Sequence, residues 1–559
     1  MPRRRRRFAL SNSISAGLLL ALVFGGPARG QDEPRQPAPA PEAAVPPTLH
    51  GSLSLSLDDA IAMGIENNLD VQIVRHQPFI LEQDERIAEG AYDPTLFSDF
   101  TYSSDEIPIA SSLQAQTDLQ QRDTNGQSGL RGLFPLIGGG YQIGYVGDRL
   151  SSTSSIQSLS PQYTATAAAS VSLPLLRGLF WSEPWTAVKL SGVAYEQALD
   201  EFRRDLIDIL LGIELSYWNL VAREESLRAA DKSLDAAKAV LEQTQVQYEV
   251  GVVSRVEVVE AEAGVAEREF NRIRAENTYR RSQDELIDRV LGPNLTATSR
   301  LEIHPTDRPA RTHQFLGVTF ELDAEESAQL ASEHRPELAI RRKAIEQAQI
   351  GLQFARNRRL PQFDVVGGYG YQGLAGTENP DRLCFNPDPV TGLCPPLSID
   401  NHYSSTDDDF FNDDDGSAQW YGGAVFSLPL PNRSARASAS RAEFELSRAR
   451  TVLRREEQRV LFEVRDALRN LTDSAQGIEA AERRRAAAEE QHRAETIRLE
   501  HGESTPFDVL LRERDVFDAE SEKINALQAY RNSLARLDQA QGTTLRSNNV
   551  AIDDARRLR

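Results

Sequence analysis

The chain has 559 residues, with 83 acidic against 62 basic side chains and a formal net charge of −21. That balance excludes a nucleic-acid coat, because binding phosphates needs clustered positive charge. Beyond the N-terminus no apolar run approaches the roughly 20 residues of a membrane-spanning helix.

The first element is a targeting segment. Arg3 to Arg7 precede a short apolar stretch from Ile14 to Phe24, and Ala28-Arg29-Gly30 supplies small residues for cleavage before Gln31. Residues 1–30 are therefore expected to be a secretory signal peptide. Residues 31–56 begin QDEPRQPAPAPEAAVPP and read as a Pro/Ala-rich tether.

The rest is one unit written twice. Residues 57–300 form a first repeat, 301–323 a linker, 324–542 a second repeat and 543–559 a tail. ENNLDV, with Glu66 and Asp70, matches EHRPEL, with Glu333 and Glu337. YDPTLFSDFTY matches LPQFDVVGGYGY, SLPLLRG matches SLPLPNR, and YEVGVVSRVEVVEAE matches LEHGESTPFDVLLRE, all in the same order. Each repeat reads as helix, strand, loop, strand, very long helix, turn, helix.

Within the first repeat, 57–89 is predicted helical and 181–248 a helix of about 100 Å at 1.5 Å per residue. From Phe202 through Leu206, Leu210, Ile213, Tyr217 and Leu220 the apolar steps alternate between three and four residues, a seam of the coiled-coil type. The second repeat carries the same seam after Pro431, with 324–356 as its short helix. Each long helix is expected to stop at a glycine, Gly251 or Gly502, in a left-handed cap. The chain restarts at once: Ser254 and Glu257 form a capping box, and Thr505 caps a helix with Pro506 at its first position. The return helices are predicted over 256–291 and 506–541. They are shorter than their partners, so the short helices would complete their length.

Four principal strands are predicted, and they alternate. Thr164, Thr166, Ala168 and Ser170 face one way, Ala165, Ala167, Ala169 and Val171 the other. Phe363, Val365, Gly367, Tyr369 and Tyr371 form one row, and Trp420, Gly422, Ala424, Phe426 and Leu428 another. Together with the export signal this pattern suits a membrane β-barrel. Residues 128–148 read as an additional hairpin, either adding barrel strands or forming a surface loop. Cys384 and Cys394 flank a Pro- and Gly-containing loop; in an exported chain they read as a local disulfide, since zinc would need two further ligands. Asp407–Asp409 and Asp413–Asp415 form an acidic loop, either solvated or binding a cation.

These residues, over about 57–542, resemble the TolC-like outer membrane efflux protein family. The motif LSLDDAIAMGIENNLDVQ, the SLPLLRG and SLPLPNR junctions and the twin tips carry the likeness, the duplication most specifically. The resemblance implies a homotrimer of mixed α and β class: long coiled-coil helical hairpins forming a periplasmic tunnel, and an outer-membrane β-barrel shared by three subunits. It implies a passive exit duct for efflux or type I secretion, working with a periplasmic adaptor protein and an inner-membrane pump and embedded in outer-membrane lipid. It places the tips Gly251, Ser254, Gly502 and Ser504 at the periplasmic end, with Asp508 and Glu257 as pore-gate candidates. A second acid one turn beyond Asp508 would be Leu511 here, and a locking Arg would be Ser504, so this chain departs from those features. The two acids also suit helix N-termini through capping and the helix dipole. No catalytic, cofactor-binding or metal motif is found: there is no HExxH, Walker lysine or G-x-S-x-G. The alternative is a periplasmic or surface coiled-coil structural protein without a pore.

Overall fold

The computed structural model describes residues 50–108, 118–292, 300–308, 324–384, scattered positions between 387 and 406, and 417–551. The expected signal peptide, most of the tether and the acidic loop lie outside the described residues.

Two long helical hairpins dominate. Helix α3 (Glu183–Glu249) returns through α4 (Arg255–Leu291), and α7 (Arg433–Glu500) returns through α8 (Pro506–Gln541). Ser182 caps α3, its Oγ accepting from Trp185 N–H at 3.3 Å. At both far ends the chain closes in a Schellman turn: Val252 N–H donates to Gln247 O at 2.8 Å, and Glu503 N–H to Arg498 O at 2.8 Å. The turns need φ near +76° at Gly251 and +75° at Gly502, which a residue without Cβ adopts freely.

The short helices are broken where one continuous helix is expected. The first splits into α1 (Leu57–Asn67) and α2 (Leu69–Glu89), the second into α5 (Ala324–His334) and α6 (Pro336–Asn357). Asn68 is extended and its Oδ1 accepts from Asp70 N–H at 2.6 Å, so it caps α2 rather than continuing α1. Arg335 is extended because Pro336 follows it.

Both breaks serve as splices. Asn68 Nδ2 donates to Arg289 O at 2.7 Å, and Arg335 Nη1 to Gln539 O at 3.4 Å, each at the C-terminal end of a return helix. So α2 continues the line of α4, and α6 that of α8. Helix α3 packs against α2 and α4 on one side and against α6 and α8 on the other, while α7 packs against α6 and α8. The chain thus forms four helical columns, in the order α2/α4, α3, α6/α8, α7.

The main sheet has six strands where four principal ones are expected. β2 (Thr95–Pro108), β3 (Asp118–Leu133), β4 (Gly140–Ser152), β5 (Leu159–Pro174), β7 (Gln362–Glu378) and β8 (Ser417–Ser427) are antiparallel neighbours in that order. The segment 128–148 forms the inner part of β3 and β4, so it belongs to the sheet.

Two further strands arise where a tether and a linker are expected. β1 (His50–Leu55) and β6 (Arg300–Pro305) pair in parallel. They form because Leu55 and Ile303 are buried with Leu210, Ile213 and Tyr217 of α3 and Leu286 and Val290 of α4 in the largest apolar core. The Tyr217 hydroxyl lies 2.8 Å from Asp307 Oδ2 and 3.1 Å from Leu55 O, tying the linker to α3. Beyond α8 the chain turns at Gly542 into α9 (Thr544–Ser547), and Leu545 and Val550 pack against the same core.

Candidate functional site

Two regions are built for something other than packing the core: the hairpin tips and the sheet. At the first tip, Glu257 Oε1 accepts from Ser254 Oγ at 3.1 Å and from Ser254 N–H at 3.4 Å. At the second, Asp508 Oδ2 accepts from Thr505 Oγ1 at 2.7 Å, and Asp508 N–H donates to Thr505 Oγ1 at 3.2 Å. Both acids are therefore held in capping boxes, each within its own hairpin, and both are half-buried. Ser504 Oγ donates to Glu495 Oε1 at 2.6 Å, bracing the second turn. Tip residues Val250 and Val252 are 70% and 72% exposed, apolar surface at the far end of the molecule.

The hairpins meet close behind these tips. Leu510 packs with Ala237 and Ala261, and Arg268 of α4 reaches Glu513 of α8. Neither Arg268 nor Glu513 was singled out from sequence. Ala261, Gly264 and Arg268 follow helical spacing and so share one face of α4, but the spacing names no partner for the arginine.

Further up, Glu214 of α3 faces Asp538 and Arg531 of α8. Burial pushes its carboxyl up to about 7, with Asp538 adding to the rise and Arg531 opposing it. Asp538 is raised as well, through burial, and hydrogen bonds from Thr543 and Ser547 oppose that rise.

The sheet has two unlike faces. Opposed pairs Leu96–Leu130, Ile143–Ala169, Ala169–Tyr369, Tyr369–Trp420 and Phe363–Phe426 make one face apolar. Asp99–Gln127, Asn125–Asp148, Thr166–Gln372 and Gln372–Ser417 make the other polar. The apolar face is bare: Phe100 is 75% exposed and Trp420 76%. At one end of the sheet Cys384 and Cys394 are disulfide-paired, with Cα atoms 5.6 Å apart. Among the described residues no three His, Cys, Asp or Glu cluster as a metal site, and no helix is long and apolar enough to cross a membrane.

A family model described as outer membrane efflux protein matches residues 112–292 and 328–543, well over half of the chain. The chain belongs to the outer membrane efflux protein family. Solved structures agree in fold. The CmeC outer membrane channel of Campylobacter jejuni superposes with a TM-score of 0.60 at 13% identity, covering 90% of this chain and 88% of that one. The outer membrane protein VceC of Vibrio cholerae gives 0.57 at 16% identity, covering 87% and 96%. The open-state MtrE outer membrane channel of Neisseria gonorrhoeae gives 0.56 at 16% identity, covering 88% and 89%. No curated protein matches. The family is one of outer membrane transport channels rather than enzymes.

Proposed function

We propose that three copies of this chain form one outer-membrane channel, the passive exit duct of a tripartite efflux or secretion system. The pooled sheets form the barrel, and the helical columns form a tunnel through the periplasm. A periplasmic adaptor docks near the hairpin tips, and an inner-membrane pump supplies the energy.

One observation carries this reading. The sheet ends in β2 on one side and β8 on the other, with no further strand beside either among the described residues, and its apolar face is bare. An open edge cannot face lipid, since each unpaired backbone group there costs several kcal/mol. Neighbouring copies, β8 of one beside β2 of the next, remove every edge at once. The helices favour the same arrangement. Column α2/α4 and column α7 are the outermost, and both expose apolar side chains: Ile73, Ile80 and Ile87 on α2 at seven-residue spacing, and Phe444 and Phe462 on α7. Exposed stripes of this kind mark packing surfaces. A coiled-coil structural protein without a pore would have no use for a bare apolar sheet.

The tip acids Asp508 and Glu257 are the gate candidates, three copies of each being brought near the threefold axis. Fractionation with chemical cross-linking tests the reading. It expects recovery in the outer membrane as a cross-linked trimer that migrates differently before and after heating. Recovery in the soluble periplasmic fraction as a monomer overturns it.

A further inference from the structure

The β3–β4 hairpin is built into the sheet at both ends. Its inner turn closes with Phe134 N–H donating to Gly139 O at 2.7 Å. Beside it Gly138, at φ +77°, is so close to the strand-to-helix junction that a Cβ would lie 2.7 Å from Gly178 O and 2.8 Å from Ser182 Cβ. At the opposite end, buried Asn379 donates from Nδ2 to Ser154 O at 2.9 Å and to Gln157 O at 2.8 Å, and Leu383 N–H donates to Ser155 O at 2.8 Å. The turn between β4 and β5 is thereby pinned to the end of β7.

The hairpin also keeps the two-faced alternation of its neighbours. Tyr141, Ile143 and Tyr145 oppose Val171, Ala169 and Ala167 on the apolar face, while Gln142 and Asp148 oppose Ser170 and Thr164 on the polar one. A loop lying over a barrel mouth has no reason to alternate in phase with the wall.

We propose that β3 and β4 are wall strands, so that three copies close an eighteen-stranded barrel. This rests on the trimeric reading above and adds the strand number and the width. Strands about 4.8 Å apart and tilted by about 40° give eighteen strands a backbone diameter of about 36 Å. Twelve strands, with the hairpin left outside the wall, give about 24 Å by the same geometry. A barrel of this size keeps an aqueous lumen, here lined by hydroxyl, amide and carboxylate groups.

Pulsed electron–electron spin-resonance distances test the width. A spin label is placed on Ala169→Cys in the full chain, the native cysteines being paired with each other, and the sample's mass is measured by sedimentation. Symmetry-related positions in a trimer lie √3 radii apart, about 31 Å at the backbone for eighteen strands and about 21 Å for twelve, with the label adding equally to both. A trimeric mass with separations about 1.5-fold those of the twelve-strand barrel supports the proposal. A trimeric mass with the shorter separation overturns the proposal and leaves the trimer standing. A monomeric mass overturns both.

Discussion

Arg268 and Glu513 form an ion pair between the two repeats, Arg268 Nε and Nη2 each lying 3.1 Å from Glu513 Oε2. Both residues are only 7% exposed, and Arg268 Nη2 also donates to Leu510 O at 2.8 Å. The pair fastens return helix α4 to return helix α8 a few turns behind the tips. Removing one member strands a charge in the interface, which costs about 3–5 kcal/mol, whereas apolar replacement of both is often neutral. Arg268→Ala is therefore expected to destabilise the hairpins by about that amount, and Arg268→Met with Glu513→Leu to restore most of it. Denaturant titration in detergent, with limited proteolysis at the tips, reads both.

The cap glycines predict a contrast. At Gly502, φ is +75° and an added Cβ meets nothing within 4 Å. Gly502→Ala is then left with the left-handed strain alone, about 1 kcal/mol. At Gly292, φ is +55° and a Cβ would fall 2.1 Å from Asn67 O, at the α1–α2 break where α2 is spliced onto α4. Gly292→Ala is expected to cost several times more, because the splice has to open. Thermal unfolding of the two variants side by side ranks them, and equal losses would remove the splice from the account.

Glu214 gives a pH dependence. Its carboxyl is raised from 4.5 to about 7 in the folded chain, so between those values the folded chain holds a proton that the unfolded chain has released. Stability then falls as pH rises through that window. Glu214→Gln removes this loss. It is expected to stabilise by roughly 1–2 kcal/mol at about pH 8, water reaching the half-buried carboxylate screening the remainder, and to change little at about pH 4. Unfolding midpoints at the two pH values check the sign.

Asp508 separates a gate from a cap. Asparagine can still accept the Thr505 hydrogen bonds but carries no charge, whereas alanine loses both. Asp508→Asn is expected to raise single-channel conductance or weaken block by divalent cations with little change in stability. Asp508→Ala is expected to lose about 1 kcal/mol as well. Unaltered conductance and block in both variants would leave the residue a cap alone.

Much of the fold is legible in the sequence because its signals are local and repeated. The seam from Phe202 to Leu220 fixes the long helix, and glycine followed at once by a capping residue fixes each tip. The strand alternation fixes which face of the sheet is apolar. Other features depend on partners distant in the chain. Residues 50–55 carry only a brief Ser–Leu alternation, and they pair with 300–305 because Leu55 and Ile303 share one core. The helix break at Asn68 lies inside an unbroken helical pattern, and its purpose appears only when Arg289 O arrives 221 residues later. The Arg268–Glu513 bridge joins residues 245 apart, each of which alone looks like an ordinary surface charge.

We infer that this chain cannot seal its own sheet and that sister subunits complete it. Sedimentation equilibrium of the full chain, extracted from the outer membrane in mild detergent, tests this most directly. A protein mass three times that of one chain is predicted. A single-chain mass, in protein that stays dissolved once the detergent is removed, would contradict it.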